Sequence, residues 1–469
     1  MVKLLELLQH PDEMLPIVQM LLKTRRAKRS YQDPGLAFCY GMLQRVSRSF
    51  SVVIQQLPEE LRNSICVFYL ILRALDTVED DMNLPNKQKI PLLRTFHEHL
   101  FDRTWRLKCG YGPYVDLMEN YPLVTDVFLT LSPGTQEVIR DSTKRMGNGM
   151  ADFIGKKEVS TVAEYDLYCH YVAGLVGSAV ARIFVDSGLE KKDLIAEVDL
   201  ANNMGQFLQK TNVIRDYHED ICEEPAPRMF WPREIWGQYA KELTDFKDPA
   251  NEKAAVRCLN HMVTDALRHC EIGLNVIPLL ENIGILRSCL IPEVMGLRTL
   301  TLCYNNPQVF RGVVKMRRGE TAKLFMSIND KRSFYETYLR LANELEAKCK
   351  GEASGDPMVA TTLKHVHGIQ KACKTALGIK EPLVTPKLSL TDDNGMRLVG
   401  MVAVVTCVKS VVDRYLYPGS GDATYAELLL DYLSEKGLVV RGVFVVLLLL
   451  LASWCLSSTA SRWRTQTAN

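Results

Sequence analysis

Apolar residues recur at helical spacing from Lys3 to about Leu377. Prolines, which interrupt helices, break this pattern at Pro11, Pro58, Pro85, Pro122 and Pro133. No stretch shows repeated strand-type alternation and no GxGxxG motif occurs, which argues against a Rossmann domain. The predicted fold class is therefore all-α, with a single large helical domain over residues 1–377.

The chain is organised around one stretch, Ser64 to Asp81, which reads SICVFYLILRALDTVEDD. A run that is apolar on every side belongs to a helix buried in a large protein. Asp76, Glu79 and Asp80 stand at i, i+3 and i+4, so a helix places them on one face together with Arg73. Buried carboxylates need a partner, and Mg²⁺ takes oxygen ligands beside substrate phosphates. The pattern predicts a metal site, and the alternative is a solvated acidic helix end.

A second polar stripe lies between Gln206 and Asp220, in the segment QFLQKTNVIRDYHED. Polar residues recur there at helical steps of 3, 4 and 4, and an additional acid can join them: Gln209, Asn212, Asp216 and Asp220, with Glu219. Apolar residues fill the positions between them, so the stripe faces something polar inside a largely buried helix. Two carboxylate arrays of this kind suit Mg²⁺ ions that grip a diphosphate.

Three weaker patterns could receive phosphate groups. In Val46 to Leu57 two serines and Arg48 precede an apolar helix, although plain helix capping explains the serines equally well. Arg228, in a proline-rich turn, could reach a phosphate. The segment from Gly312 to Leu324 is a basic loop that fits a polyphosphate or, alternatively, a solvated turn, with Lys315, Arg317, Arg318 and Lys323.

Tyrosines and a histidine enter a small-residue apolar run between Tyr165 and Gly177. A buried tyrosine normally forms a hydrogen bond through its hydroxyl. His170 is interpreted as a core histidine, because no second His or Cys stands at metal-ligand spacing. Just before this run, Gly147 and Gly149 predict the close approach of another helix or a ligand, since glycine weakens a helix.

The C-terminal part of the chain changes character. Residues 378–397 form a polar, proline-containing linker, and residues 398–469 are predicted to associate with a membrane. Within them, Leu438 to Leu456 is a nearly uncharged run of membrane-spanning length, at ~1.5 Å per residue across ~30 Å. Arg441 can snorkel at its start and Trp454 can anchor its end. The run predicts a C-terminal membrane anchor, and residues 398–412 could lie in the interface.

Composition limits the remaining possibilities. The chain has 469 residues with 47% hydrophobic content, enough for one large core or two ordinary ones. A net charge of +2 suggests no nucleic-acid partner. Thirteen scattered cysteines with no CxxC pair, in a chain whose N-terminus does not resemble a secretory signal, indicate reduced thiols in the cytosol.

Taken together, these motifs resemble squalene synthase, the farnesyl-diphosphate farnesyltransferase, and most of all the squalene-synthase-like enzymes of green algae. The resemblance covers about residues 30–375 and rests on SRSF, FYLILRALDTVEDDM, KRMGNGMADF, YDLYCHYVAGLVG, FLQKTNVIRDYHED, RMFWPREIW, CYNN and VVKMRRG. It implies an isoprenoid-synthase-type domain, Mg²⁺, NADPH and a monomer in the endoplasmic reticulum membrane, with the catalytic domain facing the cytosol. Two farnesyl diphosphates would combine into presqualene diphosphate, which NADPH would reduce to squalene.

The resemblance also implies roles for individual residues. Metal–diphosphate binding falls to Asp76, Glu79, Asp80, Asp216, Glu219 and Asp220. Substrate phosphate and chain contacts fall to Arg48, Arg73, Arg215, Arg228 and Tyr69. Tyr168 would handle the proton lost on cyclopropane closure. NADPH would contact Ser49, Phe50, Asn212, Lys315 and Arg317.

Two departures from the family pattern bear on product fidelity: His218 stands where leucine is usual, and Ser288 where phenylalanine is usual. One alternative is therefore a specialised relative that acts mainly on presqualene diphosphate, giving squalene or botryococcene. An alternative of a different class is a non-catalytic, membrane-anchored binder of isoprenoid diphosphates.

Overall fold

The computed structural model describes residues 10–26, 32–224, 227–351 and 355–379. Within these ranges the chain is helical and contains no β-strand, so the predicted all-α class is confirmed. The predicted linker beyond residue 379, the interfacial stretch 398–412 and the membrane anchor 438–456 lie outside the described residues.

The α-helices follow one another with short connections. The first ten are α1 (Met14–Arg26), α2 (Pro34–Val46), α3 (Arg48–Ile54), α4 (Glu59–Asp80), α5 (Asn86–Thr95), α6 (Pro113–Glu119), α7 (Tyr121–Phe128), α8 (Pro133–Phe153), α9 (Val162–Cys169) and α10 (Leu175–Asp186). The others are α11 (Asp193–Ala196), α12 (Val198–Arg215), α13 (Tyr217–Ile221), α14 (Arg233–Trp236), α15 (Glu252–Gly273), α16 (Ile283–Cys303), α17 (Arg318–Ser327), α18 (Lys331–Gly351) and α19 (Val359–Leu377). A π-helical turn, His170–Gly174, joins α9 to α10.

The prolines that break the apolar pattern mark helix starts. Pro58 and Pro85 are the N-cap residues of α4 and α5, and Pro133 opens α8 behind the side-chain cap of Ser132. Proline is tolerated at a helix start because the first N–H groups have no intrahelical partner there. The proline positions therefore predicted these boundaries correctly.

Helix α12 lies at the centre of the fold and packs against α10, α15, α16 and the π-helical turn. Neighbouring elements approach helix α8 closely at its two glycines, as the sequence predicted. A Cβ at Gly147 would stand 2.2 Å from the Leu93 carbonyl oxygen, and one at Gly149 would stand 2.1 Å from the Tyr171 ring. Both glycines therefore let neighbouring elements approach α8.

Of the described residues, Val162–Asp186 alone forms a helical stretch with the length and composition of a membrane span. Its Tyr165, Leu175 and Ile183 are buried within the helical domain. A core helix of a large protein has these same properties.

Candidate active site

Helix α4 presents its three predicted carboxylates along one polar face. Asp76, Glu79 and Asp80 are partly exposed, whereas Leu75 and Val78 beside them are fully buried. The face therefore opens into a cleft while the rest of the helix packs in the core. This confirms that helical spacing brings the carboxylates together.

Burial and repulsion between neighbouring charges make Asp76 and Glu79 hard to ionise without a cation. Burial raises the pKa of Asp76 to about 6, with Arg73 opposing the shift and Asp80 adding to it. Burial, followed by the charges of Asp80 and Asp76, raises the pKa of Glu79 well above its usual value. Arg73 Nη1 lies 3.4 Å from Asp76 Oδ2 and offsets only part of this crowding.

The second array is interrupted where we expected a continuous helix. Helix α12 ends at Arg215, and α13 begins at Tyr217, with Asp216 between them as the cap residue. The backbone N–H of Asp216 still donates to the Asn212 carbonyl at 2.9 Å, and that of Asp220 donates to the Asp216 carbonyl at 3.0 Å. Because this four-residue hydrogen-bond spacing continues across the junction, Asn212, Asp216 and Asp220 remain on one side of the two helices despite the break.

Arg215 and Asp216 form a two-point contact at this junction. Arg215 Nε donates to Asp216 Oδ1 at 2.7 Å and Nη2 donates to Oδ2 at 2.6 Å. Two parallel hydrogen bonds of this kind fix the orientation of the guanidinium relative to the carboxylate and pair their opposite charges. Of the other members of the stripe, Asn212 and Glu219 are exposed, and Asp220 is half-buried.

Arg228 connects the two arrays. Its Nη1 lies 2.7 Å from Asp80 Oδ1, and its Nη2 lies 3.7 Å from Asp220 Oδ1. Its own backbone N–H donates to the Asp220 carbonyl at 2.9 Å, which holds Arg228 against α13, and its pair with Asp80 reaches α4. Its Nε is buried and has no hydrogen-bond partner among the described residues. This donor remains available for an anion between the arrays.

The charges of the two arrays influence each other. Burial raises the pKa of Asp220 to about 7; Arg228 opposes this, and Asp216, Asp80 and Glu219 reinforce it. Asp80 belongs to α4, so the two acidic helices are within electrostatic range. The arrangement calls for additional positive charge in the cleft.

Tyr168 lies beside this cleft in an aromatic setting. Its side chain is buried, and its ring stacks on Phe230 at 5.1 Å and contacts Phe153 at 5.1 Å. The Phe230 ring in turn lies 5.9 Å from the Arg228 guanidinium. Burial, with Glu79 and Asp80 adding to it, raises the pKa of Tyr168 well above its usual value. The phenol is therefore neutral unless cations offset these charges.

The π-helical turn begins two residues after Tyr168, and π-turns often mark functional sites. His170 in that turn bonds to Asn202, with 2.7 Å between Nδ1 and Oδ1. The interpretation of His170 as a satisfied structural histidine is confirmed.

A second group of predicted residues lies near Arg73. Tyr69 is half-buried, with its ring 5.4 Å from Phe50 and 5.9 Å from the Arg73 guanidinium. The Ser47 hydroxyl accepts the Phe50 N–H at 3.2 Å, so this serine caps α3. The side chains of Arg48 and Ser49 lie outside the described part, and their roles remain predictions.

The predicted basic loop has a partner that the sequence did not reveal. Lys315 is exposed, but Arg317 donates to Glu13 Oε1 at 3.1 Å from Nε and at 2.7 Å from Nη2. Lys323 pairs with Asp12 at 2.5 Å. Among the described residues, the ion pairs of this segment run to the N-terminal segment, to its own helix and, through Glu320, to Arg298 on α16; none runs to the acidic arrays.

The two departures from the family pattern occupy different settings. His218 is half-buried in α13, and its Nδ1 has no partner among the described residues. Ser288 is half-buried on α16, and its hydroxyl donates to the Ile285 carbonyl at 2.7 Å.

The donor set fits Mg²⁺ only if a ligand shares the ion. In the part of the chain that the structure describes, no group of three or more His, Cys, Asp or Glu side chains could hold a metal alone. The cleft offers carboxylate oxygens, which Mg²⁺ prefers, and Mg²⁺ commonly completes its shell with water and phosphate. The raised pKa values of Asp76 and Asp220 are what such oxygens show when a cation is needed to balance them.

Comparison with known proteins decides the family. A family model described as squalene/phytoene synthase matches residues 43–320. The chain belongs to this family. It is therefore an enzyme of the prenyltransferase type, as the resemblance implied.

The relatives cover between 73% and 96% of this chain. It is 82% identical over 452 residues to Botryococcus squalene synthase of Botryococcus braunii, which is 96% of this chain and 97% of the relative. It is also 66% identical over 376 residues to lycopaoctaene synthase of the same organism, covering 80% of this chain and 85% of that one. The solved structure of TcSQS with the ligand BPH1237 shares 45% identity and a TM-score of 0.71, covering 73% of this chain and 99% of its own.

Proposed function

We propose that this protein joins two farnesyl diphosphates into presqualene diphosphate and then reduces that intermediate to squalene with NADPH. The observation that carries the proposal is the bridge made by Arg228 between Asp80 and Asp220, which turns two acidic helices into one cleft. The relatives named squalene synthase support the same reaction.

In this proposal Mg²⁺ is held by the two acidic arrays, Asp76, Glu79 and Asp80 on one side and Asp216, Glu219 and Asp220 on the other. When bound, the ions neutralise the departing diphosphate, so the allylic C–O bond can break. Arg228, with its free buried Nε, and Arg73 then bind diphosphate oxygens, with Arg215 and Arg48 as further contacts.

Tyr168 relays the proton that is lost on cyclopropane closure: its oxygen takes that proton while its own hydroxyl proton passes to the departed diphosphate. Its aromatic neighbours Phe153 and Phe230 give the carbocation apolar walls and keep water from quenching it. Because its neutral form is strongly favoured, Tyr168 takes this proton only with help from nearby cations or from the diphosphate itself.

NADPH binding is assigned to Lys315 and Arg317, helped by Ser49, Phe50 and Asn212. Lys315 is exposed and ready for a phosphate, whereas Arg317 must leave Glu13 to reach one. A phosphate of NADPH can bind Arg317 only if it replaces Glu13 as the partner of this arginine.

We further propose that residues 438–456 anchor the enzyme in the endoplasmic reticulum membrane, with the catalytic domain in the cytosol. The nearly uncharged run supports the anchor, and a waxy product leaves most easily into lipid. All described cysteines are free thiols, in keeping with a reducing compartment.

A second candidate is a specialised relative with another product. The observation that favours it is the 66% identity to lycopaoctaene synthase, together with Ser288 and His218 at positions where the family differs. Conversion mainly of presqualene diphosphate, to squalene or botryococcene, belongs to the same alternative.

The test incubates the full chain in lipid vesicles with Mg²⁺ and farnesyl diphosphate, with and without NADPH, and identifies the products. We expect presqualene diphosphate without NADPH and squalene with it. Turnover only of added presqualene diphosphate would favour the specialised relative. Binding of both diphosphates without any product would indicate a non-catalytic binder.

A further inference from the structure

Asp81, the last acid of the run that ends α4, behaves differently from the three before it. Its side chain is buried at 8% exposure, whereas the other three face the cleft. Its Oδ2 accepts the backbone N–H of Gly110 at 2.7 Å, and its Oδ1 accepts that of Asn83 at 2.8 Å. Asp81 therefore ties the loop before α6 to the end of the metal-binding helix.

Gly110 is the point of attachment, and only glycine fits there. Its φ is +84°, a left-handed conformation that side chains disfavour. A Cβ would also stand 2.5 Å from Thr77 Cγ2 on α4. The contact with Asp81 and this tight fit hold the loop against α4 at one position.

The residues that follow Gly110 bring two tyrosines to the side of Arg73. The rings of Tyr111 and Tyr114 meet edge to face, 5.3 Å apart. The Tyr114 ring lies 5.8 Å from the Arg73 guanidinium, a cation–π distance. Tyr114 therefore helps to hold Arg73, which faces Asp76.

Tyr111 is 68% exposed, and its ring lies against Tyr114, which contacts the Arg73 guanidinium. Partial burial, then Tyr114 and Asp80, raise the pKa of Tyr111, while Arg228 opposes the shift. A neutral phenol at this place is a hydrogen-bond donor at the open side of the cleft. A single exposed tyrosine would need no explanation, but this one is oriented by a glycine turn and a buried aspartate.

We propose that Tyr111 is an additional substrate-binding residue whose hydroxyl donates to the diphosphate bound beside Arg73, and that Asp81 is a positioning residue that acts through Gly110. The inference rests on the proposed function, because it deepens the same diphosphate site. A donor at this point strengthens its bond as negative charge develops on the departing diphosphate.

The test measures binding of inorganic pyrophosphate with Mg²⁺ by calorimetry, and KM for farnesyl diphosphate, on the full chain. Tyr111→Phe removes only the hydroxyl, and we expect both constants to rise by about tenfold, the size typical of a hydrogen bond to a charged group. In Asp81→Asn, either the Gly110 N–H or the Asn83 N–H faces the side-chain NH₂ group instead of a carboxylate oxygen. We expect the dissociation constant for pyrophosphate and the KM for farnesyl diphosphate to rise by a similar factor. Asp102→Asn is the matched control, because Asp102 accepts the Thr104 N–H at 2.8 Å at the other end of the loop.

A double-mutant cycle separates positioning from direct binding. If Asp81 acts through Tyr111, then Asp81→Asn has little further effect in the Tyr111→Phe background. An equal additional loss there, with an altered Mg²⁺ requirement, would mean that Asp81 is itself a metal ligand and would overturn the positioning role.

Tyr111→Phe removes an exposed hydroxyl and should not affect folding. It therefore tests the role of Tyr111 even if Asp81→Asn destabilises the fold. Unchanged pyrophosphate binding in Tyr111→Phe, in an enzyme that otherwise makes presqualene diphosphate, would refute the inference and leave the proposed function intact. A wild-type chain that converts no farnesyl diphosphate would instead refute the proposed function.

Discussion

The acidic cleft and the basic loop are both clusters of like charge, but the chain neutralises them differently. In the cleft, Asp76 and Asp220 have raised pKa values even though Arg73 and Arg228 lie beside them. In the loop, Arg317 is matched by Glu13, a buried carboxylate 304 residues earlier in the chain. The acidic cleft therefore needs cations from solution to balance its charge. An anionic ligand at the basic loop must instead compete with the Glu13 carboxylate for Arg317.

The largest effect should come from the cleft. We expect Asp80→Asn or Asp216→Asn to reduce turnover of farnesyl diphosphate by about a thousandfold or more, because each removes charge stabilisation of the leaving group. Melting temperature should change little, since both side chains are partly exposed. Excess Mg²⁺ cannot replace a missing ligand, so it should restore little. Normal turnover in either variant would contradict the prediction that the acidic cleft, unlike the basic loop, is needed for the reaction of farnesyl diphosphate.

The basic loop should affect only the second step. In the double variant Lys315→Ala with Arg317→Ala, presqualene diphosphate should form at the normal rate, because that step needs no hydride. The KM for NADPH should rise by about tenfold or more, since two charge-assisted contacts are lost. Steady-state rates at varied NADPH concentrations measure this. The same NADPH dependence as in the wild type would remove the cofactor from this loop.

The internal competitor can be weakened on its own. We expect Glu13→Gln to lower the KM for NADPH by about threefold, because a neutral amide holds Arg317 less strongly. Asp12→Asn is the matched control: its pair with Lys323 is more exposed and contributes little. A higher KM for NADPH in Glu13→Gln would mean that Glu13 supports the cofactor site.

The cleft should show its need for cations through pH. A carboxyl group whose folded pKa is raised stabilises the fold below its unfolded pKa, and this stability is lost as pH rises through the folded value. For Asp76 and Asp220 the loss runs from about pH 4 to about pH 7. Mg²⁺ should therefore raise the melting temperature by a few degrees at about pH 8 and by less at about pH 5.5, where protons compete. An equal rise at both values would place the metal elsewhere.

The two regions also differ in how far the sequence could predict them. Asp76, Glu79 and Asp80 share a face because helical spacing alone determines that they do. The break at Asp216 escaped prediction, because QFLQKTNVIRDYHED contains no proline or glycine to signal it.

Contacts between distant segments were beyond any local pattern. The pair between Glu13 and Arg317, and the bridge from Arg228 to Asp80, depend on how remote segments pack. By its position in the sequence, Asp81 is one more acid after Asp76, Glu79 and Asp80. Its separate function follows from α4 ending at Asp80, which turns the next side chain towards Gly110.

The most direct test of the two-array cleft is equilibrium binding of inorganic pyrophosphate, because it requires no chemistry. We expect the wild type to bind pyrophosphate only when Mg²⁺ is present. Asp80→Asn and Asp216→Asn should each weaken that binding by about tenfold or more, whereas Asp102→Asn should bind normally. Tight binding without Mg²⁺, or loss in only one of the two array variants, would contradict a single cleft built from both helices.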